Sequence, residues 1–211
     1  MNFIWDLDGT LFDSYAVINR ALAQTLESLN IERDLEAAGV YIIRHSVKEY
    51  FAELSEQTGI SENALNAAFA PFHDALTDGI TLMPCAAEIL IALRNRGDRH
   101  FVATHRSETA FRALDNLGIR DLFTDIITSR DGFARKPAPD SVNHIIKKHS
   151  LDRNETFYVG DRALDIECAA NAGIGSVLYL PETSHAEKTG LETFTVASLA
   201  EIPGLFEDKR R

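Results

Sequence analysis

The chain has 211 residues, 45% of them hydrophobic and 25% charged, with 21 basic against 32 acidic side chains and a net charge of −11. This is the profile of a globular protein with one packed domain, or one domain carrying a smaller insertion. So acidic a balance argues against nucleic acid or an anionic membrane as partner, because both are bound through Lys and Arg.

In chain order, the first expected element is a short apolar strand, Asn2–Trp5, which runs straight into Asp6-Leu7-Asp8-Gly9-Thr10. From residue 15 to residue 82 helical periods dominate, at Val17–Leu29, Val47–Thr58 and Glu62–Thr77. The last two begin behind Ser46 and Ser61, both suited to N-caps. A βα crossover usually takes ~10–20 residues, so this stretch reads as an inserted helical domain. Phe69, Phe72 and Leu76 fall at helical spacing within it and read as packing residues.

Beyond it, short strands at His100–Ala103, Thr124–Thr128, Thr156–Val159 and Ser176–Leu180 alternate with helices at Pro84–Arg96, Glu108–Leu117, Pro139–His149 and Ala163–Ala172. Gly97, Gly118 and Gly173 stand just past helix ends. The tail Thr193–Phe206 adds a short strand, FTV, and a last helix. Continuous apolar strands alternating with helices predict an α/β fold with a parallel sheet covered on both faces. The core is assigned to residues 1–14 and 83–211 and the helical domain to residues 15–82. An insertion after the first strand is expected above the carboxyl ends of the strands, placed to act as a lid.

Two cysteines, Cys85 and Cys168, lack metal-type spacing and read as small buried hydrophobes, and Trp5 as core. The N-terminus has no signal-peptide pattern and no apolar run approaches a membrane span, so a reducing cytoplasm is the expected location.

The strands end on polar groups: Asp6 and Asp8 after the first, Thr104-His105-Arg106 after the second, Lys136-Pro137 in the loop after the third, and Asp161 with Asp165 after the fourth. Residues two apart in extended chain share a side, and Asp161 and Asp165, four apart at a helix start, share a face. Four carboxylates then meet one evident cation, Lys136. Like charges ~4 Å apart repel by ~4 kcal/mol at an effective dielectric near 20, so acids must protonate or a divalent cation must bind. Ligands that are all oxygen select Mg²⁺ over Zn²⁺. Such a site suits phosphoryl transfer to a carboxylate, with a second carboxylate moving the proton and a Lys and a Thr holding phosphate oxygens.

The sequence Asp6-Leu7-Asp8-Gly9-Thr10-Leu11, a strand-end Thr104, the pair Lys136-Pro137 and the element Gly160-Asp161…Asp165, in this order, resemble the haloacid dehalogenase-like hydrolases. The helical insertion resembles the subfamily with a helical cap, which includes phosphoglycolate phosphatases and β-phosphoglucomutases. The resemblance implies a Rossmann-like core, Asp6 as nucleophile and metal ligand, and Asp8 as general acid/base with its backbone carbonyl on the metal. It further implies Thr104 and Lys136, with Gly9, at the phosphate, Asp161 as a direct Mg²⁺ ligand and Asp165 as an outer or water-mediated one. Dehalogenating members lack the second aspartate, so Asp8 favours phosphate chemistry.

The expected activity is a Mg²⁺-dependent phosphatase for a small phosphorylated metabolite, a sugar phosphate or phosphoglycolate, working through an aspartyl-phosphate. The alternatives are a phosphomutase of the same fold and a non-enzymatic binding or regulatory module. His105 and Arg106 are candidates for a second anionic group on the substrate, or for a surface salt bridge. Arg44, His45 and Lys48 form a basic cluster in the cap, either substrate-selecting or a solvated helix face. Lys48 is the only lysine of residues 15–82, where a phosphonate-cleaving member would need one. Monomer or homodimer is left open.

Overall fold

The computed structural model describes residues 1–207. It divides into two compact units, one of Met1–Asp13 with Thr81 onward, the other of Ser14–Ile80.

The first unit is built on β1 (Asn2–Trp5), β4 (Arg99–Ala103), β5 (Asp125–Ile127), β6 (Thr156–Gly160), β7 (Gly175–Tyr179) and β8 (Phe194–Val196). They form one sheet in the order β5-β4-β1-β6-β7-β8, every pair parallel. The chain moves outward from β1 through β4 to β5, then returns to the other flank of β1 for β6. The order therefore reverses at β1, and open α/β sheets bind ligands outside the carboxyl ends of strands at such a point.

Strand parity sorts the core. Phe3 pairs with His100 and Phe157, whereas Ile4 pairs with Phe101 and Tyr158. On one face Phe3 and Phe157 meet Phe206, with ring centroids 5.3 and 4.6 Å from it. On the other, Ile4, Phe101 and Tyr158 join Val142, Ile145 and Cys168 from helices α7 (Asp140–His149) and α8 (Ala163–Asn171). Helices α5 (Ala86–Asn95) and α6 (Thr109–Asn116) complete the alternation. The expected last helix is a 3₁₀ run, Leu199–Phe206, with Pro203 inside it. Cys168 is buried as expected, but Cys85 is exposed, at the turn into α5 with a φ of 65°, so it is not a core residue.

Two-residue strands β2 (Phe12–Asp13) and β3 (Thr81–Leu82) pair antiparallel, Phe12 with Leu82 and Asp13 with Thr81. Between them runs the second unit: α1 (Tyr15–Ser28), α2 (Leu35–Arg44), α3 (Val47–Thr58) and α4 (Glu62–Leu76). Ser46 and Ser61 accept backbone N–H bonds at the starts of α3 and α4, as their positions suggested. Ile18, Leu22, Ile42, Phe51, Leu54 and Leu65 make this unit's core, and Phe69 packs against it.

Candidate active site at the reversal of strand order

The end of β1 sets the site's geometry. The ladder continues one residue past the strand, Asp6 N–H donating to Val159 O at 2.9 Å. The chain then turns on Leu7, whose carbonyl accepts from Thr10, Leu11 and Phe12 at 3.1, 3.0 and 2.8 Å. Gly9 takes a φ of 81° in this turn, a conformation that a side chain would strain. Asp6 keeps the parity of Ile4, which turns it toward the face that holds Tyr158.

On that face Lys136 is fully engaged. Its Nζ donates to Asp6 Oδ1 at 2.7 Å, Asp165 Oδ1 at 2.5 Å and the Tyr158 hydroxyl at 3.0 Å. An ammonium has three donors, so all are used. The Tyr158 hydroxyl in turn donates to Ala103 O at 2.5 Å. Burial alone would favour loss of the Lys136 proton, but Asp165 and Asp6 outweigh it and hold its pKa well above the ordinary value. Burial likewise pushes Asp6 up to about 6; Lys136 opposes the shift and Asp165 adds to it.

The two oxygens of Asp6 differ. Oδ1 is on Lys136, while Oδ2 is buried and has no hydrogen-bond partner among the described residues. Asp6, Asp161 and Asp165 each present an oxygen, and the three lie within 4.8 Å of one another. A buried acceptor without a donor beside two further carboxylates is costly alone and fits a hard divalent cation. Thr10 Oγ1 donates to Asp161 Oδ1 at 3.2 Å. Asp165 Oδ2 accepts the Arg162 backbone N–H at 3.2 Å. Gly160 leaves room for this carboxylate, since a Cβ there would stand 2.3 Å from Asp165 Cβ.

Asp8 is held elsewhere. Its carboxylate receives Arg106 Nη2 at 2.5 Å and Arg106 Nε at 3.2 and 3.3 Å. The count of four acids against Lys136 alone thus omits a cation, because Arg106 is buried at the same strand ends and spent on Asp8. Thr104 follows β4, where its Oγ1 accepts the Arg106 N–H at 3.1 Å. His105 Nε2 accepts the Lys136 backbone N–H at 2.9 Å, tying the Lys-Pro loop to the end of β4. A recess of ≈ 150 Å³ is lined by Thr104, His105, Thr128, Ser129 and Lys136 among others.

Arg44, His45 and Lys48 lie in the helical unit and are exposed. The His45 ring lies 4.4 Å from that of Tyr41, and its Nδ1 is 3.7 Å from Glu49. A hollow of ≈ 220 Å³ in this unit, between Tyr41, Tyr50, Glu53 and Arg33, is larger than the recess beside Lys136. The carboxylate cluster, not volume, marks the candidate site. Sequence reasoning missed Tyr158 and the role of Thr10. Thr10 stands in the quoted motif, but Tyr158 lies mid-strand among apolar residues and gives no signal.

Residues 3–179 match the model of the haloacid dehalogenase-like hydrolases. The chain belongs to this family. Among its relatives in the haloacid dehalogenase-like hydrolases is the phosphoglycolate phosphatase of Rhodobacter capsulatus, 28% identical over 97% of this chain and 95% of that protein. A hydrolase from Pseudomonas syringae superposes with a TM-score of 0.78 at 26% identity, covering 98% of both chains. CbbY from Rhodobacter sphaeroides, solved in complex with phosphate, shares the fold with a TM-score of 0.80 at 20% identity over 95% of both chains.

Proposed function

We propose that this hydrolase is a Mg²⁺-dependent phosphatase acting on a small phosphorylated metabolite through an aspartyl-phosphate on Asp6. The observation that carries the reading is the asymmetry of Asp6, one oxygen held by Lys136 and the other buried without a partner among the described residues. Oδ2 attacks phosphorus, and the bond from phosphorus to the ester oxygen breaks. Asp8 gives its proton to the departing alkoxide. Asp8 then takes a proton from water as the water oxygen attacks phosphorus, and the bond to Asp6 breaks to release phosphate. Lys136 orients Asp6 through Oδ1 and sets a fixed positive charge beside the phosphoryl group. Thr104 and the turn at Gly9 are assigned to its oxygens.

Asp6, Asp161 and Asp165 would hold the Mg²⁺, with the Asp8 carbonyl as a further donor. When bound, the ion offsets repulsion between the carboxylate and the phosphoryl group. The relatives named as phosphoglycolate phosphatases support a phosphomonoester substrate and make phosphoglycolate the first candidate.

The test is phosphate release from a panel of phosphomonoesters, including phosphoglycolate and sugar phosphates, with Mg²⁺ and with EDTA. Activity is expected on a subset, abolished by EDTA, and lowered about 10³-fold or more in Asp6→Asn. Full Mg²⁺-dependent activity in that variant would remove Asp6 as nucleophile.

A further inference from the structure

The Tyr158 hydroxyl stands where the packing gives no reason for one. Tyr158 is 0% exposed and lies in the apolar cluster with Ile4, Phe101, Val142 and Ile145. A phenylalanine would fill the same space without a polar atom to bury. The hydroxyl is satisfied from two sides. It donates to Ala103 O at 2.5 Å and accepts from Lys136 Nζ at 3.0 Å. Tyr158 belongs to β6 and Ala103 ends β4, with β1 between the two strands. The side chain therefore reaches across the central strand and ties the Lys136 ammonium to the backbone one residue before Thr104.

Lys136 needs such a tie. A lysine carries its ammonium on a flexible four-carbon stem, and the three donors rotate, so acceptors alone give them direction. Two of its acceptors, Asp6 and Asp165, are carboxylates also assigned to the metal site. Tyr158 is the third, has no second assignment and is itself anchored to a strand backbone. The other end of the residue is held at the same place, because the Lys136 backbone N–H donates to His105 Nε2 at 2.9 Å. Both the head and the backbone of Lys136 are thus referred to the end of β4.

We propose that Tyr158 is a positioning residue for phosphoryl transfer: its hydroxyl fixes the third N–H of Lys136, and with it the direction from which Lys136 holds Asp6 and faces the phosphoryl group. The proposal rests on the phosphatase reading above. Tyr158 is closed off by burial and acts only through Lys136.

Tyr158→Phe tests this cleanly. It removes the hydroxyl but keeps the ring, whose centre lies 5.3 Å from Lys136 Nζ. kcat and KM are measured with Mg²⁺ on the ester that the wild type hydrolyses best. kcat is expected to fall about 10-fold or more, the size of one hydrogen bond to a charged group, while KM stays within about 2-fold. A hydroxyl that served stability alone would lower the melting temperature and leave kcat unchanged. The second measurement needs neither turnover nor metal. Hydrogen exchange of the lysine ammonium groups is followed by NMR on the ¹⁵N-lysine-labelled chain in EDTA, with Lys136 identified by its loss in Lys136→Arg. The wild-type Lys136 ammonium is expected to exchange about 10-fold or more slowly than the exposed Lys48 and Lys147, and about 10-fold faster in Tyr158→Phe than in the wild type. A Phe variant with wild-type kcat, or with wild-type exchange, overturns the proposal. So does a wild-type Lys136 that exchanges as fast as Lys48, which decides the matter where the Phe variant does not fold. Failure of the phosphatase reading appears differently, as no phosphate release from any ester by the wild type while the two exchange rates still differ.

Discussion

Lys136 stands between two buried carboxylates, and its removal should expose what it balances. In Lys136→Met the methionine fills similar volume, but Asp6 and Asp165 are left facing each other without a cation. Breaking a buried pair in this way costs about 3–5 kcal/mol, because the stranded charges are no longer compensated. A bound divalent ion would replace part of that compensation. Urea unfolding should therefore show a large loss in EDTA and a greater recovery on adding Mg²⁺ than in the wild type. A loss under about 1 kcal/mol, with the same Mg²⁺ response as wild type, would contradict the charge balance drawn from the geometry. Gly160 is the complementary case, where shape and not charge is the constraint. An alanine Cβ would stand 2.3 Å from Asp165 Cβ and 2.5 Å from its Cγ. Gly160→Ala is expected to cost about 1–3 kcal/mol by overpacking and to reduce phosphate release by displacing Asp165. Thermal melts and turnover of the variant test both.

At the scale of elements, β1 and β4 are joined by a side-chain bond as well as by their ladder. Trp5 Nε1 donates to His100 Nδ1 at 3.1 Å, and His100 Nε2 lies 3.0 Å from Leu90 O in α5. An indole nitrogen can only donate, so Nδ1 must be the unprotonated nitrogen and Nε2 the donor. Protonating Nδ1 breaks the bond to Trp5. Burial pushes His100 from 6.5 down to about 4, opposed by the bond to Leu90. The unfolded chain therefore binds a proton that the folded one refuses between those values. The stability is complete above about 6.5 and falls as pH drops toward about 4, by ~3 kcal/mol in all. His100→Gln removes this titration. The difference between wild-type and variant unfolding free energies should change over that window and be flat above it. A difference independent of pH would reject the assignment. Such a coupling was invisible beforehand, since His100 read only as the first residue of an apolar strand. Strands β1, β4, β6 and β7 were legible because they are buried almost throughout and bounded by helical periods. Helix α2 was not. Its sequence LEAAGVYIIR holds Gly39 and a run of β-branched and aromatic residues, so local preference is weak. Its one clear signal is Asp34, which caps Glu36 and Ala37. The pairing of Arg106 with Asp8 joins residues 98 apart, and no local spacing announces it.

For the whole molecule, the question is how far the sheet unit depends on the helices interrupting it. Its chain leaves at Asp13 and returns at Thr81, and these two residues are register partners in the antiparallel pair β2–β3. Antiparallel partners stand about 4.5–5.5 Å apart at Cα, a gap that a two-residue turn closes. The apolar cluster around Ile4, Phe101 and Tyr158 draws only on the sheet unit, and the one around Leu22, Phe51 and Leu65 only on the helical unit. The contacts of Lys136, Asp6, Asp161 and Asp165 given above also lie wholly within the sheet unit. Replacing residues 14–80 with Asn-Gly should thus yield a chain that folds cooperatively. It should retain the circular-dichroism signature of an α/β protein and a single urea transition. It should also be stabilised by Mg²⁺, since the acidic cluster survives, and Asp6→Asn in this shortened chain should weaken that response. A shortened chain that stays unfolded even with Mg²⁺ would show that the sheet unit needs stabilisation from the inserted helices despite its separate core.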